Sequence, residues 1–368
     1  MLLFLNLLIK PFWIFGIDRT VQNLVGDQEY GLYFSLFNFS MLLNILLDVG
    51  ITNYNSRNIA QHNFLLPKHV SNIVGLKFLL AIVYAVFSLI VAAIIGYNKI
   101  QFHLLFFLIF NQFLISFTVY LRSNISALHL FRTDSFLSVL DRTILIAICS
   151  ILLFNQSFRP SFTIEWFVYA QTVSYALGAL TVFFIVLKKS GKIKIRFNIS
   201  FFLVFLRKSY PYALLILLMS FYNRIDSVML ERLLPEPYGK EQAGIYAQAF
   251  RLLDALSMFA ALFSVLLLPI FSKMIKQKEP VGEMVKLSFS LLIVPAIIIA
   301  VSSIYYNHQI MAVLYKSNTA HSSEILGILM TGFIGIATTY IFGTLLTANG
   351  SMKQLNIMAF AGMLKMWF

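Results

Sequence analysis

The sequence predicts an all-α polytopic membrane protein built as two parallel six-helix lobes, the second of which lacks its last helix. Three observations lead to this prediction: the composition, the spacing of apolar runs and an internal repeat. Hydrophobic residues make up 59% of the 368 residues and charged residues 12%, against roughly 45–50% and about 25% in soluble domains. A soluble core of this size has no room for so much apolar surface, so the excess must face lipid.

Apolar runs long enough to cross a bilayer, which takes about 20 helical residues, divide the chain into eleven predicted spans. The spans are 1–17, 30–52, 72–96, 101–121, 135–154, 163–187, 209–230, 243–270, 284–305, 323–348 and 354–368. The first contains Lys10 followed by Pro11 and is predicted to kink there. The connections between spans are short, which leaves no room for a soluble catalytic domain.

Loop charge predicts the orientation, because membrane proteins place Lys and Arg in cytoplasmic loops. The strongest basic cluster, between Lys188 and Lys208, follows span 6, and the odd-numbered spans are followed by few basic residues. The N-terminus is therefore expected in the cytoplasm. The same rule accounts for most of the net charge of +13, so we expect no nucleic-acid partner.

An internal repeat predicts the lobes. Residues 26–33, Gly-Asp-Gln-Glu-Tyr-Gly-Leu-Tyr, align with residues 239–246, Gly-Lys-Glu-Gln-Ala-Gly-Ile-Tyr, at an offset of 213. At the same offset Asp18-Arg19 aligns with Glu231-Arg232, and Phe37 with Phe250. The offset covers six predicted spans, an even number, so both copies have the same membrane orientation. Parallel copies are related by an axis along the membrane normal.

The repeat also sets the expected domain boundaries. An N-terminal lobe of six helices covers 1–187, and a C-terminal lobe covers 209–368. Between them lies a basic cytoplasmic linker, 188–208, with a possible interfacial helix. Residue 368 aligns with residue 155, so only five helices of the second lobe are seen.

Several segments resemble the polysaccharide-biosynthesis flippases of the multidrug/oligosaccharidyl-lipid/polysaccharide exporter superfamily. They are residues 26–33, the sequence Leu47-Asp48-Val-Gly-Ile, the sequence Tyr222-Asn-Arg-Ile-Asp226 and the sequence Ala243-Gly-Ile-Tyr-Ala. The resemblance implies two lobes around a central cavity. It also implies translocation of a lipid-linked oligosaccharide, typically on undecaprenyl pyrophosphate, from the inner to the outer leaflet of the bacterial cytoplasmic membrane. It implies no enzyme activity and no cofactor.

Eight charged residues within or beside the apolar runs are the candidate substrate-binding residues, because a charge at the bilayer centre costs about 2.5–3.5 kcal/mol on insertion scales. They are Lys10, Arg19, Arg122, Arg224, Asp226, Arg232, Arg251 and Asp254. Arg251 and Asp254 are spaced to pair on one helix, either as a structural ion pair or with Asp254 orienting Arg251 towards a phosphate. Arg19 and Arg232 share one repeat position, where they either snorkel to the interface or bind phosphate. No catalytic residue and no metal ligand is expected.

Two other functions stay open at this point. A cation-coupled multidrug or toxin exporter of the same fold should have an acidic cavity. The charged residues predicted to be buried in the membrane are instead five bases, Lys10, Arg122, Arg142, Arg224 and Arg251, and four acids, Asp48, Asp141, Asp226 and Asp254. A membrane-embedded glycosyltransferase or polymerase generally needs catalytic residues on a substantial outer loop. The longest outer connection, roughly 306–322, holds no carboxylate. The expected partners are the lipid-linked oligosaccharide, membrane lipids and a possible coupling proton or sodium ion at Asp226 or Asp254.

Overall fold

The structure, a computed structural model, describes residues 11–52, 66–128, 130–190 and 199–365, with the isolated positions Ile9, Asn55, Ile59 and Phe64. Side chains are described for all of these except 199–212, 265, 269 and 363–365. Throughout these residues the regular structure is helical, without β-strands. The predicted all-α class is therefore confirmed.

The helices are numbered α1 to α12 along the chain. They are α1 Arg19–Val25, α2 Asp27–Leu42, α3 Leu66–Ile95, α4 Lys99–Ala127, α5 Phe131–Phe154, α6 Ile164–Ser190, α7 Ile199–Leu233, α8 Tyr238–Lys276, α9 Gly282–Tyr305, α10 Asn307–Leu314, α11 Thr319–Ala348 and α12 Met352–Lys365. A π-helical turn, Trp13–Asp18, runs into α1, and short 3-10 turns cover Asn44–Leu47 and Arg159–Ser161.

Eight helices in the described part of the chain are long and apolar enough to cross a membrane: α3 to α9 and α11. They confirm the predicted spans 3 to 10, and with them a multi-pass membrane protein. Their exposed side chains agree, because Ile82, Phe87 and Ile94 on α3 face outwards. Large apolar side chains on the outside of a helix bundle require lipid rather than water around them.

The predicted spans at the two ends of the chain are described only in part. Lys10, where a kink is predicted, lies outside the described residues, and the helix after Pro11 is π-helical over Trp13–Asp18. The last predicted span begins as α12, which has 14 residues.

The second predicted span, 30–52, is broken. Helix α2 ends at Leu42, and a 3-10 turn leads to Val49 and Gly50, whose φ angles are 45° and 80°. A positive φ is rare for a β-branched residue such as valine. A continuous helix was predicted here because the residues are apolar throughout. Apolar content does not report the backbone angles that break the helix.

The chain forms two compact units. The first contains residues 35–228 and the second contains residues 10–34 with 229–368. Helices α4 and α5 pack along α6 in the first unit, and α8 and α9 pack along α11 in the second. Residues 11–34 belong by sequence to the first repeat, yet they pack in the same unit as the second. Of the predicted linker, residues 191–198 lie outside the described residues and 199–208 form the start of α7.

Candidate functional site

The two copies of the repeat motif meet at a pair of glycines, Gly31 on α2 and Gly244 on α8, which we call the glycine crossing. A Cβ atom on Gly31 would overlap the carbonyl oxygen of Lys240, and a Cβ atom on Gly244 would overlap that of Asp27. The repeat offset relates Gly31 to Gly244 and also Asp27 to Lys240. The contact is therefore reciprocal, and only glycine allows the two backbones to approach so closely.

Asp27, at the start of α2, is 7% exposed and binds side chains from three other segments. Its Oδ1 accepts hydrogen bonds from Nε2 of Gln248 at 2.7 Å and of Gln22 at 3.4 Å. Its Oδ2 accepts from Oγ of Ser317 at 2.6 Å and from Nδ2 of Asn318 at 2.9 Å. Ser317 and Asn318 lie between α10 and α11, so one carboxylate at the start of α2 ties that connection to α1 and to α8.

A charged cluster of Asp18, Tyr30 and Arg251 lies in the same unit. The Tyr30 hydroxyl donates to Asp18 Oδ2 at 2.7 Å. Arg251 Nε lies 2.7 Å from the same oxygen and donates to the Tyr30 hydroxyl at 3.1 Å. Asp18 and Tyr30 are 2% and 0% exposed. Such a buried ion pair is stabilised only because the hydrogen bonds of its members are satisfied together.

The guanidinium of Arg251 has two further neighbours. It lies over the ring of Phe34, 5.0 Å from the centroid, within the range of a cation–π contact. Its Nη1 lies 3.9 Å from Asp254 Oδ2, the partner that the sequence predicted. The predicted pair is therefore present, but the closer carboxylate is Asp18, more than 200 residues away along the chain.

Arg19 follows Asp18 directly and brings a second guanidinium to this region. Its Nε atom is buried and has no hydrogen-bond partner among the described residues. Tyr315, between α10 and α11, is 5% exposed and interacts electrostatically with Asp18, Arg251 and Arg19. Burial raises the pKa of Tyr315, and the negative charge of Asp18 adds to the effect. The hydroxyl of Tyr315 therefore stays protonated and can donate a hydrogen bond.

Arg232 occupies the repeat position of Arg19, at the end of α7. Its Nε lies 3.7 Å from Oε2 of Glu231, which is 3% exposed. The symmetry of the two repeats is broken at Arg251, because the equivalent residue in the first repeat is Asn38. The positions that the offset relates to Asp18, Tyr30 and Arg251 are Glu231, Ala243 and Asn38, so they do not form a second cluster of the same chemistry.

The remaining candidates lie elsewhere. Arg122 Nε lies 2.9 Å from Asp134 Oδ1 in the first unit. Arg224 donates to Asn38 Oδ1 at 3.3 Å, also in the first unit, where Asp226 follows on the same helix. Lys10 lies outside the described residues. Of the predicted site residues, the structure thus groups Arg19, Arg251 and Asp254.

Three residues of this region were not among the predicted site residues: Asp18, Asp27 and Tyr30. All three fall within or beside the repeat motif, and Asp18 aligns with Glu231. A search for polar residues that accompany the repeat, rather than for charges inside apolar runs, would have selected them.

Comparison with solved structures shows the fold. The inward-facing structure of a multidrug resistance MATE family transporter of the MOP superfamily superposes with a TM-score of 0.64 and 14% identity, over 98% of this chain and 84% of that one. The outward-facing conformation of such a transporter gives 0.64 and 13%, over 97% and 82%. A eukaryotic MATE transporter gives 0.56 and 16%, over 95% and 83%.

The family follows from the sequence itself. No curated protein matches the chain closely enough to count as a relative. The family model described as polysaccharide biosynthesis protein matches residues 19–275, which include the repeat motif, the glycine crossing, and Tyr30 and Arg251 of the charged cluster. The chain therefore belongs to the polysaccharide biosynthesis protein family and is a multi-pass membrane protein with the fold of these MATE transporters.

Proposed function

We propose that the protein moves a lipid-linked oligosaccharide, carried on undecaprenyl pyrophosphate, from the inner to the outer leaflet of a bacterial cytoplasmic membrane. The lipid tail stays in the bilayer while the protein shields the polar head. The N-terminus lies in the cytoplasm, so that the connection after α1 and the connection before α11 face outwards.

The observation that supports this proposal is that two guanidinium groups, those of Arg251 and Arg19, both interact electrostatically with Tyr315. Arg251 is held by Asp18 and Tyr30, and Arg19 brings a buried Nε without a hydrogen-bond partner among the described residues. A guanidinium presents a planar fork of donors that matches the oxygens of a phosphate. In this mechanism the Asp18 carboxylate holds Arg251 until a pyrophosphate oxygen replaces it.

The membrane potential favours this direction of transport. A charge crossing 100 mV changes in energy by about 2.3 kcal/mol. When the inside is negative, the outward movement of a diphosphate with roughly two negative charges is therefore favoured by about 4.6 kcal/mol. A coupling proton or sodium ion at Asp226 or Asp254 would add to this drive.

The proposed function can be tested with purified protein in lipid vesicles. The probe is an undecaprenyl-pyrophosphate oligosaccharide with a labelled sugar, and the measurement is the fraction that becomes accessible to an enzyme outside the vesicle. We expect transfer that a vesicle without protein does not show. Transfer no faster than in protein-free vesicles would contradict the proposal.

A multidrug exporter is the second candidate, because the fold is shared with MATE transporters. The same vesicles distinguish the two functions when they are loaded with a fluorescent organic cation. Export of the cation without movement of the lipid-linked oligosaccharide would favour this second function.

Replacing both repeat-related arginines, Arg19→Gln with Arg232→Gln, should reduce export more than about tenfold. Charge-assisted hydrogen bonds contribute about 1.5–3 kcal/mol each, and two cationic forks are removed. Lys at both positions should restore export only in part, because it supplies charge without the planar fork. The measurement is surface glycan per protein molecule in a strain that lacks its own flippase.

The control for this variant removes two exposed cations from the same predicted side of the membrane, Lys99→Gln with Arg159→Gln. This control should export normally. If the arginines only anchor the protein at the interface, Lys and Arg will be equivalent and the double Gln variant will export at nearly the normal level.

A further inference from the structure

The break after α2 creates an unusual polar site inside the first unit. The 3-10 turn Asn44–Leu47 and the positive φ of Val49 and Gly50 interrupt the helical ladder. The carbonyl oxygen of Leu47 accepts a hydrogen bond from the side chain of Lys77. The next residue is Asp48. Interrupted membrane helices are where transporters bind coupling cations, through unwound carbonyl oxygens and nearby carboxylates.

A lysine fills this site. Lys77, in the apolar helix α3, is 1% exposed. Its Nζ donates to Leu47 O at 3.0 Å and to Ser116 Oγ at 3.2 Å, and it forms an ion pair with Asp48 Oδ1. An ammonium group has three donors, and here a carbonyl, a hydroxyl and a carboxylate accept all three.

Two further residues, Tyr120 and Thr52, surround the ion pair of Lys77 and Asp48. The Tyr120 ring lies on another side of the ammonium, with its centroid 5.7 Å from Nζ. Thr52 donates to Asp48 through its hydroxyl and, at 3.3 Å, through its backbone N–H. The Asp48 side chain is 27% exposed, so an ion could reach the carboxylate if the lysine were absent.

We propose that Leu47, Asp48 and Ser116 form a monovalent-cation site whose resident ion is the ammonium of Lys77. A tethered ion neutralises Asp48 without exchanging with solution. The first unit therefore keeps its broken helix in place without an external ion, and this site does not couple transport to a sodium gradient.

The test compares the thermal unfolding of purified wild type, Lys77→Ala and Lys77→Met/Asp48→Asn at constant ionic strength. The probes are sodium, n-propylammonium, which replaces the atoms that Lys77→Ala removes, and choline as reference. We expect equal Tm for the wild type in sodium, propylammonium and choline. For Lys77→Ala we expect a saturable rise of about 2–5 °C in sodium or propylammonium. The neutral double variant should not respond.

Two results of this experiment would overturn the proposal. One is a folded Lys77→Ala protein whose Tm responds to neither cation. The other is a sodium response in the wild type that Asp48→Asn removes. If Lys77→Ala is recovered folded only from membranes kept in sodium or propylammonium, that result supports the site.

The double variant keeps the proposal testable even if the single variant does not fold. We expect Lys77→Met/Asp48→Asn to export within about threefold of wild type, because a resident ion takes no part in transport. A folded double variant whose export falls more than tenfold would contradict the proposal. Only this export measurement rests on the proposed function, whereas the unfolding measurement stands without it.

Discussion

The double variant Arg251→Gln/Asp18→Asn is expected to reach the membrane at nearly the normal level and to lose export by about 100-fold or more. Arg251→Gln alone would leave Asp18, which is 2% exposed, without its cation. Breaking a buried ion pair in this way costs about 3–5 kcal/mol. The Asp18→Asn change removes that penalty, so the double variant isolates the role of the guanidinium in transport.

The size of the expected loss follows from the contacts that Arg251 would make with a pyrophosphate. Two charge-assisted hydrogen bonds of about 1.5–3 kcal/mol each correspond to a change of about 100-fold or more, at 1.36 kcal/mol per factor of ten. The measurement is surface glycan per protein molecule, with protein in the membrane quantified separately.

The chain offers a matched control in its first unit. Arg142 Nη1 donates to the Tyr175 hydroxyl at 2.9 Å and lies 5.4 Å from the centre of its ring. Arg142→Gln/Tyr175→Phe therefore removes an arginine–tyrosine contact of the same chemistry and should leave export nearly unchanged. Normal export by Arg251→Gln/Asp18→Asn would instead identify the cluster as a purely structural ion pair.

The helices were largely predictable because each spanning helix must be apolar over about 20 residues. This single requirement located α3 to α9 and α11. It failed at residues 42–50, where the chain is apolar but positive φ angles at Val49 and Gly50 break the helix. A search for long apolar runs also gave no reason to single out Lys77, because one lysine hardly changes the mean hydropathy of a 30-residue helix.

The site was less predictable because its main contacts join distant parts of the chain. Spacing on one helix could indicate Asp254 as a partner for Arg251, and the structure contains that contact. It had no means to indicate Tyr30, which approaches Arg251 because α2 and α8 cross, or Asp18, which lies on the turn before α1. The repeat was the exception, since its offset of 213 relates Gly31 to Gly244 by sequence alone.

The crossing also connects the site residues to one another. Asp27 binds Gln248 on α8, and Ser317 and Asn318 before α11. The charged cluster lies further along the same two helices, because Tyr30 is on α2 and Arg251 is on α8. If α2 and α8 separate, both sets of contacts break together.

The variants Gly31→Ala and Gly244→Ala should each hold the crossing open and reduce export about fivefold or more. The added methyl group overlaps a backbone carbonyl oxygen in both cases. Backbone has no alternative rotamer, so the helices themselves must separate. Overpacking costs about 1–3 kcal/mol, which changes the ratio of closed to open states by roughly 5- to 150-fold.

The open state can be measured with a single cysteine. Ala247, about one turn along α8 from Gly244, is 0% exposed, and Cys149 is the natural cysteine to be replaced by serine. In whole cells, Ala247→Cys should react with a membrane-impermeant maleimide faster when Gly31→Ala or Gly244→Ala is present. The control is Gly332→Ala on α11, where an added Cβ meets nothing within 4 Å. Unchanged reactivity and normal export in the glycine-crossing variants, at normal protein levels, would show that α2 and α8 tolerate the methyl group without separating.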